Sequence, residues 1–305
     1  MNDTIPLAQK LRTLGADITP ETIAGTAKLV APLHARRATE DVQVIRDRRY
    51  GPADRNRLDI FEPAPRAELA SHDGGRPVLV FVHGGGFVTG DKTAPNSPFY
   101  DNVGLWAVHN GCIGVTITYR LAPQAQWPAG SDDVALAMRW VRENIAAHGG
   151  DLERIFVMGQ SAGAVHVAGY IAREFGETGG LAPRSGWKPA GALLISGLYD
   201  TDSMAHDARF RSYFGDDDAQ LENVSFLGAL AGTQVPLLVT VAELDPHDFQ
   251  NQFVTLLEAR VRRRLPLPRF AQLGGHNHLS TVWCMNSSAD TLGLEIKGFL
   301  FDTER

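Results

Sequence analysis

Several features of secreted and membrane proteins are missing from this sequence. Its 305 residues include only two cysteines, Cys112 and Cys284, which lie far apart among apolar residues and are expected to be reduced core side chains. The first residues lack a basic segment followed by an apolar one, and no apolar run approaches the ~18 residues of a membrane span. We therefore expect a cytoplasmic protein that has no membrane partner.

The sequence also lacks a strong excess of either positive or negative charge. The formal net charge is −6, and no long block of like charges is present. The one basic cluster, residues 260–264, ends a predicted helix, where basic side chains complement the helix dipole. A nucleic-acid surface would extend further and would carry interleaved aromatic residues. The sequence therefore predicts no nucleic-acid partner.

Continuous apolar runs alternate with helical segments over most of the chain. Runs without polar alternation are typical of strands that are buried on both faces, as in a parallel sheet covered by helices. This alternation predicts the α/β class, with a mostly parallel, doubly wound sheet flanked by helices. Buried strands are predicted at residues 78–82, 113–118, 155–158, 190–196, 235–241 and 269–273, after an antiparallel pair at 42–50 and 58–61. Helices are predicted at 97–109, 129–147, 248–263 and 279–301.

Two segments lie outside this alternation. Residues 1–40 have the pattern of two amphipathic helices, the second with Thr19 as its N-cap, and no strand precedes them. We expect them to form an N-terminal helical cap over a catalytic domain of residues 41–305. Residues 198–230 are polar and weakly patterned, and they are a candidate second insertion in the cap.

The stretch Gly159-Gln160-Ser161-Ala162-Gly163 lies at a predicted junction of a strand and a helix. Gly-x-Ser-x-Gly at such a junction is typical of a nucleophile elbow. A serine at the tip of so tight a turn is strained, and glycines on either side let the neighbouring chain pass close. Ser161 is therefore the candidate nucleophile, and an ordinary Gly-Ser turn is the alternative.

A second glycine-rich stretch, His83-Gly84-Gly85-Gly86-Phe87, directly follows a predicted buried strand. Glycines there allow backbone N–H groups to point into a cavity and bind a developing oxyanion. A phosphate-binding loop would instead end in Lys-Ser or Lys-Thr and lead into a helix, whereas Val88-Thr89-Gly90 follows here. The pattern favours oxyanion binding.

Asp245 lies at the carboxyl end of a predicted strand, the edge where open α/β sheets carry their sites. A carboxylate at this position would hold an imidazole in the right tautomer. Glu243 and Asp248 are rival candidates. We favour Asp245 because Pro246 can start a helix and leave the preceding residue exposed at the strand end.

Two histidines, His276 and His278, follow the last predicted strand, and either could act as a general base for Ser161. We favour His278 because it is nearer the following helix, and His276 would then be a supporting or surface residue. His-x-His can also ligate a metal, but no third ligand stands at a familiar spacing, so we expect no metal.

The order Ser161, Asp245, His278 is the order expected of the α/β-hydrolase arrangement. With these motifs the chain resembles the hormone-sensitive-lipase-like esterases, which have the α/β-hydrolase fold, from about residue 55 to the C-terminus. The residues that carry the resemblance are His83-Gly84-Gly85-Gly86, Tyr119-Arg120-Leu121-Ala122-Pro123, Trp127-Pro128-Ala129 with Asp132-Asp133, Gly159-Gln160-Ser161-Ala162-Gly163, and Asp245-Pro246.

The resemblance implies a serine carboxylic-ester hydrolase that acts through an acyl-enzyme, and we expect it to need no cofactor. The resemblance also implies a mobile N-terminal cap, which matches residues 1–40. The predicted cap of residues 1–40 indicates small to medium esters rather than long lipid chains. The oligomeric state is left open, a homodimer included. The implied catalytic residues are the nucleophile Ser161, the acid Asp245 and the base His278, and the implied oxyanion hole is formed by the N–H groups of Gly85, Gly86 and Ala162.

Two departures from that group widen the choice of substrate. Gln124 stands where a glutamate is common, and His278-Leu279-Ser280 stands where His-Gly-Phe is common. The latter, together with Ser196-Gly197-Leu198-Tyr199-Asp200, is similar to the kynurenine-formamidase and feruloyl-esterase-like branch. An arylformamidase-type amidohydrolase is therefore one alternative. A non-catalytic binding protein is another, although such proteins usually lose a triad member.

Three further side chains are candidates for roles near the site. We expect Phe87 and Trp127 to help line the substrate pocket, and a plain core role is the alternative because large aromatic side chains mostly fill cores. Arg120 is expected to be structural, paired with Asp132 or Asp133. The alternative for Arg120 is direct recognition of a substrate carboxylate.

Overall fold

The structure is a computed structural model, and it describes residues 6–34, 39–65, 74–175, 187–200, 208–217 and 224–301. Within these ranges the strands are β1 Val42–Arg49, β2 Arg57–Pro63, β3 Arg76–Val82, β4 Ile113–Ile117, β5 Gly150–Gln160, β6 Gly191–Ile195, β7 Leu237–Leu244 and β8 Arg269–Asn277. The α-helices are α1 Leu7–Leu14, α2 Pro20–Val30, α3 Asp101–His109, α4 Ala129–Asn144, α5 Ala162–Phe175, α6 Ala208–Phe214, α7 Leu227–Gly232, α8 His247–Arg262, α9 Ser280–Trp283 and α10 Leu292–Phe301. None of these described helices is long and apolar enough to cross a membrane.

The strands of the described residues form one sheet in the order β1-β2-β4-β3-β5-β6-β7-β8. β1 pairs with β2 and β2 with β4 in antiparallel fashion, and every later pairing is parallel. The predicted α/β class, the mostly parallel sheet and its antiparallel opening pair are confirmed. Because the strands from β3 to β8 run the same way, the loops after them meet along one edge of the sheet.

Helices cover both faces of this sheet, as the unbroken apolar runs predicted. Val80 of β3 belongs to a buried core that also contains Val165 of α5. Its neighbour Phe81 points to the opposite face, into a core with Trp106 of α3 and Ile296 of α10. The central strands are therefore buried on both sides, and their carboxyl ends are rigidly placed.

The prediction of one continuous helix over residues 279–301 is wrong. The structure has α9 and α10 there, joined by a turn in which Asn286 is left-handed, with φ of 62°. The Asp290 carboxylate accepts hydrogen bonds from Asn286 N at 3.0 Å and from Gly293 N at 2.7 Å. Short polar side chains of this kind compete with helical hydrogen bonds and cap a following helix. The helix therefore ends after α9 and starts again at Leu292.

Strand ends also differ from the predicted ones. β5 begins at Gly150 rather than at residue 155, since Gly150 pairs with Arg76 ahead of the apolar run. β8 continues to Asn277, where it pairs with Leu244 of β7. Backbone pairing thus continues past the apolar residues that made these strands visible in the sequence, and it carries β8 into the histidine-rich segment.

The two N-terminal helices form as predicted. Thr19 caps α2, since its hydroxyl accepts a hydrogen bond from Thr22 N at 3.2 Å and Pro20 is the first helical residue. Val30 at the end of α2 packs in one apolar cluster with Trp283 of α9. The cap prediction for residues 1–40 also covers 1–5 and 35–38, which lie outside the described residues, and it stays a prediction.

The segment 198–230, which showed little pattern, contains α6 and α7. Both helices bury apolar side chains, among them Phe210, Tyr213 and Leu230. Residues 201–207 and 218–223 lie outside the described residues. The prediction that this segment belongs to a cap likewise stays a prediction.

Candidate active site

Ser161 occupies a sharp turn between β5 and α5. Its φ is 56°, a left-handed conformation that is uncommon for serine. The Ser161 N–H donates to the Ile195 carbonyl at 2.9 Å, which fixes the turn against the end of β6. A Cβ added to Gly163 would collide with the Val82 carbonyl of β3. The second glycine is therefore required by close approach of the neighbouring strand.

The glycine loop, residues 83–90, follows β3 at the same edge of the sheet. Gly85 has φ of 134° and Gly86 has φ of 59°, and a Cβ on Gly85 would collide with the Thr89 carbonyl. The Gly85 carbonyl accepts the N–H groups of Val88 and Thr89, which closes the loop on itself. Within the described residues, the N–H groups of Gly85, Gly86 and Ala162 have no hydrogen-bond acceptor.

The first residue of the glycine loop, His83, has a buried imidazole that holds the loop in place. His83 Nδ1 lies 2.6 Å from the Gly84 carbonyl oxygen, and because a carbonyl only accepts, Nδ1 carries the proton. The His83 ring stacks on Tyr119 with 4.4 Å between centroids, and Tyr119 OH donates to the His83 carbonyl at 2.8 Å. Burial lowers the pKa of His83 to about 4, so the ring stays neutral near pH 7.

Asp245 and His278 are brought together at the ends of β7 and β8. His278 Nδ1 lies 2.6 Å from Asp245 Oδ1, and both side chains are buried. The other oxygen, Oδ2, accepts hydrogen bonds from Ser196 Oγ and from Ala242 N, each at 2.6 Å. This arrangement fixes the orientation and the tautomer of the His278 ring.

Of the two rival carboxylates, one is paired with an arginine and the other is exposed. Glu243 forms an ion pair with Arg12 at 2.9 Å and accepts the Gly275 N–H at 2.6 Å. The hydrogen bond from the Arg12 guanidinium lowers the pKa of Glu243. Asp248 is exposed in the first turn of α8. Of the three candidates, Asp245 is the carboxylate that contacts an imidazole of the histidine pair.

The two histidines differ in what their ring nitrogens contact. His276 Nδ1 lies 3.1 Å from Ser280 Oγ, and its Nε2 lies 2.9 Å from Thr291 Oγ1. Both nitrogens of His276 are therefore occupied, and burial lowers the pKa of this ring. In contrast, His278 Nε2 is buried and has no hydrogen-bond partner among the described residues.

The nucleophile elbow and the His278 segment are joined through Gln160. The Gln160 amide donates from Nε2 to the His278 carbonyl at 3.0 Å, in a fully buried position. No hydrogen bond joins Ser161 Oγ to His278 Nε2 in this part of the structure. Such contacts are often long in free enzymes and tighten when substrate binds. Ser161 thus shares the sheet edge with the Asp245–His278 pair without a hydrogen bond to its imidazole.

Phe87 and Trp127 both belong to an aromatic cluster beside the glycine loop. The Phe87 ring is buried and stacks on Tyr213 with 4.8 Å between centroids. Trp127 is half-buried and lies 5.7 Å from Phe214, centroid to centroid. The cluster fills the space between the glycine loop and α6.

α6 was not predicted from the sequence, yet it lies against the glycine loop. A Cβ added to Gly86 would lie 3.0 Å from Arg209 Cδ. The buried face of the helix carries Phe210, Tyr213 and Phe214. Their i, i+3, i+4 spacing is the signal that could have revealed the helix. Seven residues of helix are too short for that signal to stand out.

Arg120 pairs with Asp133, one of its two predicted partners. The distance from Arg120 Nη2 to Asp133 Oδ1 is 2.8 Å, and the Arg120 backbone N–H donates to the same carboxylate. Asp133 is fully buried, whereas Asp132 pairs with Arg173 at 2.6 Å. The predicted pairing of Arg120 with one of these two aspartates is confirmed.

Comparison with known proteins gives a family match and a fold match. A family model described as alpha/beta hydrolase fold matches residues 79–265. A crystal structure of inhibited esterase B from Lactobacillus rhamnosis superposes with a TM-score of 0.73, covering 96% of this chain and 95% of that one. The two sequences are 19% identical, so this likeness concerns the fold alone.

Curated relatives match over shorter segments. Phenmedipham hydrolase from Pseudarthrobacter oxydans is 41% identical over 103 residues, which is 32% of this chain and 20% of the relative. Para-nitrobenzyl esterase from Bacillus subtilis is 41% identical over 168 residues, which is 50% of this chain and 32% of the relative. The chain thus spans a fifth to a third of the length of these two relatives.

Proposed function

The chain belongs to the α/β-hydrolase fold family, whose model matches more than half of it, and we propose that it is a serine carboxylic-ester hydrolase. The observation that carries the proposal is the 2.6 Å contact between Asp245 and His278 at the sheet edge that also holds Ser161. The names of the two relatives, an esterase and a hydrolase, support the same class of reaction.

In the proposed first step, Ser161 Oγ attacks the carbonyl carbon of an ester. His278 Nε2 accepts the Ser161 hydroxyl proton as the bond forms, and the Asp245 carboxylate stabilises the resulting imidazolium through Nδ1. The unpartnered state of Nε2 fits this role, since a buried acceptor without a partner is available to the serine proton.

The tetrahedral intermediate carries a negative oxygen. We place that oxygen at the N–H groups of Gly85, Gly86 and Ala162, which are free of protein acceptors within the described residues. Donors fixed before the charge appears need no reorganisation during the reaction. Ala162 also begins α5, so the positive end of that helix dipole faces the same oxygen.

Collapse of the intermediate breaks the ester C–O bond. The leaving alkoxide takes the proton from the His278 imidazolium and departs as an alcohol, which leaves an acyl group on Ser161. His278 then removes a proton from water as the water attacks the acyl carbon. Collapse of this second intermediate returns the proton to Ser161 and releases the carboxylic acid.

Small to medium esters are the proposed substrates. The aromatic cluster that contains Phe87 and Trp127 fills the volume beside the glycine loop, which leaves little room for a long acyl chain there. Under this proposal Phe87 and Trp127 form one wall of the acyl pocket. Such side chains give large apolar contact with little flexibility.

A substrate panel on the purified chain tests the reaction class. The panel contains p-nitrophenyl esters of increasing acyl length and N-formylkynurenine, with Ser161→Ala as the control in each assay. We expect the shortest esters to be hydrolysed fastest, the formamide to be a poor substrate, and Ser161→Ala to be inactive.

Other outcomes identify the alternatives. Faster turnover of N-formylkynurenine than of any ester would replace the esterase with an arylformamidase-type amidohydrolase. No turnover of any member, with the chain folded, would favour a binding protein. Equal turnover by wild type and Ser161→Ala would remove Ser161 from the mechanism.

A further inference from the structure

We propose that Ser196, which has no assigned role, is a positioning residue that sets the orientation of the Asp245 carboxylate. The inference rests on the proposed function, since its consequence is expressed through His278. The Ser196 hydroxyl lies 2.6 Å from Asp245 Oδ2, and because a carboxylate only accepts, the hydroxyl donates. Within the described residues, Ser196 is thus the one side chain besides His278 that hydrogen-bonds the Asp245 carboxylate.

The contact is shielded from water. Relative exposure is 1% for Ser196, 1% for Asp245 and 3% for His278. A hydrogen bond to a charged group is strong in such surroundings, and a lost donor is not replaced by solvent. The two donors on Oδ2, Ser196 Oγ and Ala242 N, hold the carboxylate plane so that Oδ1 faces His278 Nδ1.

The backbone at Ser196 is strained. Its φ is 47°, a left-handed conformation that glycine adopts readily and that is sterically strained for other residues. Strained non-glycine residues concentrate at functional sites, where the side chain compensates for the strain. A serine at this position is therefore explained by its hydroxyl rather than by its backbone.

Ser196 also lies between the other parts of the site. The residue before it, Ile195, accepts the N–H of Ser161 at 2.9 Å. The Ser196 N–H donates to the Thr240 carbonyl of β7 at 2.9 Å, on the strand that leads to Asp245. These two hydrogen bonds fix the end of β6 against Ser161 and against β7, the strand that leads to Asp245. The Ser196 hydroxyl is thereby held within hydrogen-bond distance of Asp245 Oδ2.

Removing the hydroxyl has one expected effect on catalysis. The carboxylate loses one of its orienting donors, so kcat falls by about tenfold, the size expected for one lost hydrogen bond to a charged group. KM changes little, because the proposed role of Ser196 acts through Asp245 and His278.

The test compares Ser196→Gly with Ser196→Ala on the full chain. Ser196→Gly relieves the strained φ and removes the hydroxyl, whereas Ser196→Ala removes the hydroxyl and keeps the strain. We expect both variants to lose kcat with little change in KM and to exchange the His278 Nδ1 proton faster than wild type. We expect Ser196→Gly to resist urea at least as well as Ser196→Ala.

Thr240→Val is the matched control. The Thr240 hydroxyl is buried next to this site and has no hydrogen-bond partner among the described residues. This variant should therefore keep the wild-type kcat and KM. A Ser196→Gly variant with wild-type kcat and wild-type exchange of the His278 Nδ1 proton would overturn the inference, because the lost hydroxyl would then have no effect on the Asp245–His278 pair.

The NMR signal of the His278 Nδ1 proton separates this inference from the proposed function. If wild type hydrolyses no ester but Ser196→Gly exchanges this proton faster than wild type, the proposed function fails and the positioning role stands. If wild type hydrolyses esters while both variants match it in rate and proton exchange, the positioning role fails and the function stands.

Discussion

The imidazoles of His83, in the glycine loop, and of His166, beside it, are buried and uncharged. They make the stability of this region depend on pH. Burial lowers the pKa of His83 to about 4, and burial together with the nearby His83 lowers the pKa of His166 to about 3. The His166 ring packs edge-on against Phe87, Tyr119 and Tyr213, and neither of its nitrogens has a hydrogen-bond partner among the described residues, so a proton on it would have no acceptor there.

The direction of the effect follows from proton binding. An unfolded histidine takes up a proton below its usual pKa of about 6.5, whereas these two stay neutral in the folded chain until a much lower pH. The unfolded state therefore binds more protons as pH falls from about 6.5 toward 4. Each imidazole is expected to remove up to about 1.4 kcal/mol of unfolding free energy per pH unit in that window.

Replacing His166 measures how much of this pH-dependent loss of unfolding free energy is due to its imidazole. We expect His166→Leu to unfold in urea with a weaker pH dependence between pH 6.5 and 4 than wild type, whatever its stability at pH 7. Urea unfolding at pH 7, 6 and 5 measures the two slopes. Equal slopes would mean that His166 is not held neutral in the folded chain.

At the scale of elements, α2 supports the segment that carries His278. Thr26 Oγ1 of α2 lies 2.8 Å from Asn277 Nδ2, and both residues are buried. The Asn277 amide oxygen in turn accepts the N–H of Ser280 at 3.0 Å, which shapes the turn around His278. An N-terminal helix is thus bonded to the residue next to the proposed base.

Thr26→Val keeps the shape of the side chain and removes the acceptor. Asn277 Nδ2 would then be buried without a partner, so we expect the unfolding free energy to fall by about 1–3 kcal/mol. Because the turn around His278 loosens, kcat should fall several-fold while KM changes little. Urea unfolding and ester kinetics measure the two effects.

Thr26→Ser is the control for this prediction. It keeps the hydroxyl and should keep both the stability and most of the activity. Loss of activity in Thr26→Ser equal to that in Thr26→Val would show that the methyl group matters and not the hydrogen bond.

The properties of individual elements also explain why the sequence predicted the central strands but neither α6 nor the break between α9 and α10. The central strands are buried on both faces, so their apolar runs were visible, as in residues 78–82. α6 is short and lies in a polar segment, so its three buried aromatic residues did not stand out. The break between α9 and α10 depends on hydrogen bonds of Asp290, a local alternative to helix that an apolar pattern does not encode.

The candidate site likewise contains residues that the sequence predicted and residues whose role depends on the folded structure. Residue type and strand order singled out Ser161, Asp245 and His278, because chemistry limits which side chains can serve. The preference for His278 over His276 rested on its position nearer the following helix, and the contacts of the ring nitrogens, which support it, depend on the folded turn after β8. Ser196 was noticed only as part of a resemblance, because its left-handed φ and its contact with Asp245 depend on how β6 and β7 align.

At the scale of the whole molecule, the candidate site is assembled from the carboxyl ends of five neighbouring parallel strands. β3 leads to the glycine loop, β5 to Ser161, β6 to Ser196, β7 to Asp245 and β8 to His278. Open α/β sheets place their sites at this edge because the loops there vary without disturbing the core. The central claim is that this assembly makes Ser161 a nucleophile with His278 as its base.

Covalent labelling with a fluorophosphonate probe, followed by mass spectrometry of the labelled peptide, tests that claim most directly. We predict one label per chain on Ser161 in wild type, its loss in His278→Ala, and its retention in His276→Ala, whose ring nitrogens are both occupied by hydroxyl groups. An unlabelled wild type, a label on another residue, or labelling that is lost in His276→Ala and kept in His278→Ala would contradict the account.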